Sequence, residues 1–516
     1  MIDRKGRMSI TLYIENVLIY GREVNEKREI KGGIKMNRYL KLIGISLIII
    51  LLVTSFLGCA KKPASDVSEK NNQTQEPNGE QQTSEEVKKE EPPKEEEPDY
   101  DFGGRVIRSV AYWNRKPEEG ASEIGDKLLA RVAELEKKWN FKFEWIEVPH
   151  GEYVETLTAS TLAGDPVAEL AYIWSHYFLP GFVTSGIAYP VSDLGVFDFS
   201  ESKWDPSKVE VGTFAGKQYN VEAGRGWPRS IVIWNKTLFE REGLPNLYEL
   251  EKNGEWTWEK LLEIAKQATK DLDGDGQIDQ WGITGSQIVY NFIYSNGAEV
   301  VRKTADGIEF ALNDPKAYEA LEFYQKVNAA NVIRPWMEGD NWDTYATTFR
   351  DGQVAMCIAE FWVVDSYLSD GKMKDEYGII YFPKGPQATE YVSYGYEETI
   401  DIMLGTVKNP KDVAIIWDAI TDVYLEEETP GYWRDFFEQK VNDTESMQVI
   451  ETILNKGLNK INLHRGFPDL VGVLDGAIGE ITSGTKTPQA AIEAIEQQAK
   501  KIIEDALKGG SSQNSN

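Results

Sequence analysis

Cysteine is almost missing: the 516 residues hold two, Cys59 and Cys357. Cys357 sits inside the apolar run VAMCIA and reads as a small core residue, so no intramolecular disulfide is expected. Histidine is limited to His150, His176 and His464, and no two share metal-ligand spacing. Positive charge is short as well. Lys and Arg total 56 against 84 Asp and Glu, a net charge of −28, which disfavours nucleic acid and acidic lipid as partners. No GxSxG elbow, GxGxxG fingerprint or phosphate-binding P-loop appears. Carboxylate pairs such as Glu397-Glu398 are too common among 84 acids to be promoted to a glycosidase pair. Catalysis therefore has little support, and the chain is expected not to be an enzyme.

Long apolar runs are also missing, with one exception. Leu42 to Gly58 reads LIGISLIIILLVTSFLG, follows the basic start Asn37, Arg38 and Lys41, and ends at Cys59-Ala60. A basic start, an apolar stretch and a small residue at the cut form the layout of a secretory signal. As a membrane span it would reach only about 25 Å at roughly 1.5 Å per residue. The cysteine directly after the small residue resembles the lipobox of bacterial lipoproteins. That resemblance implies removal of residues 36–58, acylation of Cys59, and attachment to the outer face of the cell membrane, on the extracellular side of a Gram-positive cell. Residues 1–35 carry no signal of their own. Gly32-Gly33 shortly before Met36 can be encoded as a ribosome-binding site, so Met36 is the expected start. Residues 59–102 are rich in Glu, Lys, Gln, Pro and Ser, too polar to offset chain entropy, and are expected to be a disordered acidic tether. Its reach is roughly 35 Å as a flexible coil.

From about residue 103 strand and helix patterns alternate. Arg105–Tyr112 reads as a strand. Ser122 is placed to cap a helix carrying Ile124, Leu128, Val132, Leu135 and Trp139 at helical spacing. Phe141–Val148 alternates as a second strand, a helix follows around 153–163, and 167–174 makes a third strand. Phe214–Val221 reads as a hairpin and Ser230–Trp234 as another strand. Near the other end, Thr487 caps and Pro488 opens a final helix, and 508–516 is expected to be a frayed tail. Repeated strand–helix–strand units argue for an α/β fold.

The segments GDPVAELAYIW, FAGKQYNVEAGRGWPRSIVIWNKTLFEREGLPN, EWTWEKLLEIAKQATKDLDGDGQIDQWGITG, FRDGQVAMCIAEFW, YFPKGP and TVKNPKDVAIIWDAI resemble the family 1 extracellular solute-binding proteins of ABC importers, whose carbohydrate members include the maltose-binding protein. The resemblance implies a two-lobed, type II periplasmic-binding-protein-like fold, each lobe a mixed, mostly parallel sheet flanked by helices. Lobe one would be 103–222 plus 384–425 and lobe two 223–383 plus 426–507, with hinges near Ala223, Pro383 and Glu426. A cleft between the lobes would capture a carbohydrate and deliver it to membrane permease subunits, the protein acting as a monomer. Alternatives are a surface polysaccharide-degrading enzyme, or a binder or sensor of a non-sugar solute.

Aromatic faces suit the C–H faces of pyranose rings, with amides and charges taking the hydroxyls. The candidates lie beyond strand ends, where open α/β sheets bind ligands: Trp113 and Asn114 after the first strand, and Trp174, His176 and Tyr177 after the third. Arg225 and Trp227 lie in the first crossing, Trp362 follows the strand VAMCIAEF, and Tyr290, Asn291, Tyr394 and Tyr396 complete the set. Trp362 aligns with a tryptophan that stacks on sugar in the maltose-binding relatives. Trp139, Trp145, Trp234 and Trp417 sit on core periodicity instead. Arg225 and Arg229 suit an anionic sugar by their chemistry; the favoured expectation is that they pair with Glu222, Glu397 or Glu398.

The run Asp271-Leu-Asp-Gly-Asp-Gly-Gln-Ile-Asp279 matches an EF-hand loop at positions 1, 3, 5, 6, 7, 8 and 9. Asp271, Asp273, Asp275, the Gln277 carbonyl and Asp279 are the expected ligands of a structural Ca²⁺, with Gly282 at position 12 supplying none.

Overall fold

The computed structural model describes residues 99–305, 307–396 and 398–509. The signal segment, Cys59 and nearly all of the expected tether fall outside that range, as does Glu397. The tether ends earlier than 102: Tyr100 stands edge-on to the Trp139 ring at 5.2 Å, and Phe102 lies 6.3 Å from Phe141. Two aromatics on either side of Asp101 supply enough apolar area to hold the chain against the body. Among the described residues no helix is long and apolar enough to cross a membrane.

The first lobe begins with β1 (Arg105–Ala111), α1 (Glu123–Trp139), β2 (Phe141–Glu147), α2 (His150–Leu162) and β3 (Leu170–Trp174). Helix α1 starts where the sequence says it should. Ser122 accepts a hydrogen bond from the Gly125 N–H, Leu128, Val132, Leu135 and Trp139 form the buried face, and Asn140 ends it in the left-handed region. Strand β1 lies between β2 and β3, parallel to both.

The second lobe is built on β4 (Ile231–Asn235), α3 (Trp258–Ala268), β5 (Trp281–Gly285), α4 (Ile288–Ser295), α5 (Pro315–Ala329), α6 (Thr344–Arg350), β6 (Val354–Ala359) and β7 (Tyr377–Tyr381). Its sheet runs β7-β4-β6-β5. The sheet is mixed as expected, but the balance is not mostly parallel. β4 enters directly from a crossing and runs antiparallel to both neighbours, which leaves β5–β6 as the parallel pair.

Further along the chain come β8 (Ser393–Gly395), β9 (Thr399–Met403), α7 (Pro410–Thr421), α8 (Arg434–Glu438), α9 (Thr444–Asn455), β10 (Asn459–Ile461), α10 (Pro468–Thr482) and α11 (Pro488–Gly509). β9 returns to lobe one and closes its sheet antiparallel to β3, and α7 packs against α1. Lys508 belongs to α11 rather than to a frayed tail.

Two lobe boundaries differ from expectation. Residues 384–395 belong to lobe two, not lobe one. Gly385 N–H donates to the Ser295 carbonyl at 2.8 Å, a Cβ at Gly385 would fall 2.6 Å from the Trp258 ring, and β8 pairs in parallel with β10. The second crossing therefore falls at 396–398 rather than at Pro383. The third lies beyond Thr429 rather than at Glu426, because Glu426 and Thr429 still bind Ser202 and Lys127 of lobe one.

Candidate functional site

The carboxyl ends of β3 and β6 meet at the crossings. Ser175, the residue after β3, donates its N–H to the Glu398 carbonyl at 2.7 Å and accepts from the Glu398 N–H through Oγ at 3.1 Å. Glu398 is fully buried, and its carboxylate is gripped by Arg229 through Nε at 3.0 Å and through Nη2. Arg229 Nη1 also stands 3.6 Å from Glu360, the residue after β6. One guanidinium and two carboxylates thus tie the first and second crossings to both strand ends. Of the pairings expected for Arg229, that with Glu398 is formed; Glu397 lies outside the described residues.

Above this floor, on lobe two, lies a cavity of about 360 Å³. Asn291, Trp362, Tyr394 and Tyr396 of the expected set line it, together with Glu360 and Gln287. The Trp362 ring is 5.9 Å from Trp342 and edge-on to Tyr345 at 6.5 Å, so three aromatic rings sit together in the lining. Asn291 is held by Ser230 Oγ and by the Gln287 carbonyl. Burial pushes the Tyr394 hydroxyl far above its usual range; it stays protonated and accepts from Asn462 at 2.8 Å.

Tyr290 is a correction. It is turned into the core, stacked at 5.9 Å on Tyr394 and 4.7 Å from His464, and does not line the cavity. Because α4 is buried on every side, its register alone does not say which residue faces the cleft.

Lobe one contributes a second aromatic group at the ends of β1 and β3. Trp174 stacks on Tyr112 at 4.1 Å, with His176 and Tyr177 each 6.0 Å from it. Trp113 stands edge-on to Tyr172 at 5.0 Å and is 36% exposed, and Asn114 beside it is exposed. Beneath them the Arg115 guanidinium sits 3.8 Å over the Tyr172 ring and pairs with buried Asp401 at 2.6 Å. These residues belong to the other lobe and do not line the lobe-two cavity.

Arg225 and Trp227 fall in a separate cavity of about 410 Å³, bounded by the start of α1, the first crossing and the segment around α8. Trp227 stacks on Phe436 at 5.2 Å and meets Phe361 at 6.1 Å. Trp342, Glu360 and, in this second cavity, Trp433 are site residues that sequence reasoning passed over. Trp342 lies in a loop with no periodicity to read; Glu360 carried a signal, since it precedes Trp362 at a strand end.

The Asp-rich loop joins α3 to β5. Asp271, Asp273 and Asp275 are exposed and each offers an oxygen within 4.8 Å of the others. Backbone N–H groups of Gly274 and Gly276 donate to Asp271 at 2.7 and 2.8 Å, and Leu272 N–H donates to Asp279 at 2.7 Å. The Gln277 side-chain amide donates to Asp275 at 3.0 Å, and its backbone carbonyl is the oxygen the loop pattern puts at position 7. Gly282 lies inside β5, where a Cβ would meet the Ala265 carbonyl, so position 12 holds no ligand. The donor set is hard, oxygen-only and anionic, which fits Ca²⁺. The loop precedes β5 while Ser286 and Gln287 of the cleft follow it, so the two sites lie at opposite ends of one strand.

Residues 121–420 match the family model described as bacterial extracellular solute-binding protein. Among solved structures, UspC of M. tuberculosis gives a TM-score of 0.57 at 18% identity, over 77% of this chain and 100% of that one. The cyclic alpha-maltosyl-1,6-maltose binding protein from Arthrobacter globiformis gives 0.56 at 16%, over 78% and 100%. An ABC substrate-binding protein from Listeria monocytogenes, solved with cycloalternan, gives 0.53 at 16%, over 78% and 99%. At these identities the likeness is one of fold. No curated protein matches the sequence.

Proposed function

This chain belongs to the bacterial extracellular solute-binding proteins, and from that premise we propose that it captures a sugar or oligosaccharide between its lobes and hands it unchanged to the permease of an ABC transporter. The observation that carries the reading is the aromatic cluster Trp342–Tyr345–Trp362 beside Asn291, Gln287 and Glu360. Flat apolar faces next to amide and carboxylate groups suit a polyhydroxylated ring. Similar folds, one named for binding cyclic alpha-maltosyl-1,6-maltose and one solved with cycloalternan, support the same class. A solute touching Trp362 on lobe two and Trp174 on lobe one favours the closed arrangement through its extra contacts. Calorimetry against an oligosaccharide panel tests this. Trp362→Ala should weaken binding of whichever glycan binds by about 2 kcal/mol or more; unchanged affinity would remove Trp362 from the site, and turnover of the glycan would overturn capture without conversion.

The location follows the same reading. Cys59 would be acylated and hold a single copy of the protein to the outer face of the membrane, which intact-mass analysis of the membrane-extracted protein checks. Asp271, Asp273, Asp275, Asp279 and the Gln277 carbonyl would hold a Ca²⁺ that clips the α3–β5 loop.

A further inference from the structure

Arg225 and Arg229 sit four residues apart in the first crossing, yet their surroundings differ. Arg229 is neutralised by Glu398 and Glu360. Nearby Arg115, Arg131 and Arg434 each have a carboxylate within 4 Å. Arg225 has none among the described residues, and its guanidinium makes no hydrogen bond there. In a chain carrying −28, a half-buried arginine without a counter-ion is conspicuous.

Its backbone is fixed on both sides. The Arg225 N–H donates to the Tyr432 hydroxyl at 2.8 Å, and the Gly226 N–H donates to buried Asp205 at 2.9 Å. Gly224, at φ +94°, brings the chain against the Tyr424 ring, which a Cβ would meet at 3.5 Å. The side chain is thereby delivered into the 410 Å³ cavity between Trp227 and Trp433. The cavity's carboxylates do not satisfy it: Glu123 is taken by Lys127 at 3.0 Å, and Asp435 is exposed at the rim and forms no ion pair with Arg225.

We infer that Arg225 selects a solute bearing a carboxylate, an acidic sugar such as a uronate unit, whose ring rests on the aromatic walls while its oxyanion pairs with the guanidinium. A planar donor fork among aromatic faces is suited to a carboxylate, and a site built around an unpaired charge disfavours the uncharged analogue. This rests on the carbohydrate reading above and narrows it by adding a second cavity, apart from the one lined by Trp362, for the acidic unit.

The test uses the purified protein and three probes: short oligogalacturonides, the same chains methyl-esterified, and neutral maltodextrins. Calorimetry should give the acid form a dissociation constant about tenfold or more below that of its ester. Arg225→Met should bring that ratio close to one, and Arg225→Lys should keep part of it. Because the side chain has no partner to lose among the described residues, both variants should melt with the wild type. Equal binding of acid and ester, or a ratio unchanged in Arg225→Met, overturns the inference. Binding of maltodextrins with rejection of the uronides overturns it too, while leaving the carbohydrate reading standing. If no glycan binds, the carbohydrate reading fails and takes this one with it.

Discussion

Removing the charge of Glu398 should cost the protein stability far out of proportion to the single atom changed. In Glu398→Gln the Arg229 guanidinium stays in place but loses its main counter-ion. Breaking one side of a buried ion pair costs roughly 3–5 kcal/mol, because the surviving charge is left without compensation. Here Glu398 is fully buried and Arg229 15% exposed, and Glu360 remains 3.6 Å from Nη1. The residual carboxylate and partial hydration place the loss near the lower end, about 3 kcal/mol. Arg229→Met strands Glu398 with one remaining donor to its carboxylate among the described residues, the Thr399 N–H at 2.9 Å, and should cost at least as much. The double variant Arg229→Met/Glu398→Leu removes both charges and should lose much less than the sum of the two single changes. Urea unfolding at neutral pH, followed by tryptophan fluorescence, measures all three. Single variants within 1 kcal/mol of wild type, or a double variant equal to the sum, would refute the view that this pair is a coupled, desolvated unit.

Two further outcomes follow from buried and exposed titratable groups. His464 is fully buried and burial, with Arg465 beside it, pulls its pKa down to about 3 from the usual 6.5. The unfolded chain therefore binds a proton that the native state refuses, and stability should fall as pH drops from about 6.5 towards 3, by several kcal/mol. His464→Gln should flatten that limb in pH-dependent melts; an unchanged slope would assign it to other groups. Chelation by EDTA should lower the melting temperature, and Ca²⁺ at a hundred times its dissociation constant should restore about 2.7 kcal/mol. Asp271→Ala should abolish the Ca²⁺ response, and a melt indifferent to Ca²⁺ would mean that the Asp-rich turn holds no ion.

What could be read in advance followed local rules. Helix α1 was legible because Ser122 and the apolar spacing from Leu128 to Trp139 belong to one segment. Trp362 was legible because it follows the apolar strand β6. The second crossing was not, since residues 384–395 carry no apolar period and are fixed to lobe two by β10, which arrives from far along the chain. The fates of Arg225 and Arg229 were equally hidden. Both are arginines flanking Trp227, and what separates them is the arrival of Glu398 beside one and not the other. Tyr290 misled because a helix buried all round offers no polar face to orient it.

Lobe one is spelled in two instalments, with the whole lobe-two sheet between them. Leu170 on β3 finds its neighbour in Met403 on β9, and α1 is covered by α7, which ends at Thr421. A nascent chain emerging amino-terminus first thus makes the first half of its body early but cannot seal that half until most of the polypeptide exists. Until then the outer edge of β3 offers unpaired backbone groups to any passing strand. Fragments stopped before Thr399 should accordingly clump rather than fold, and a holding factor during synthesis would act on this interval.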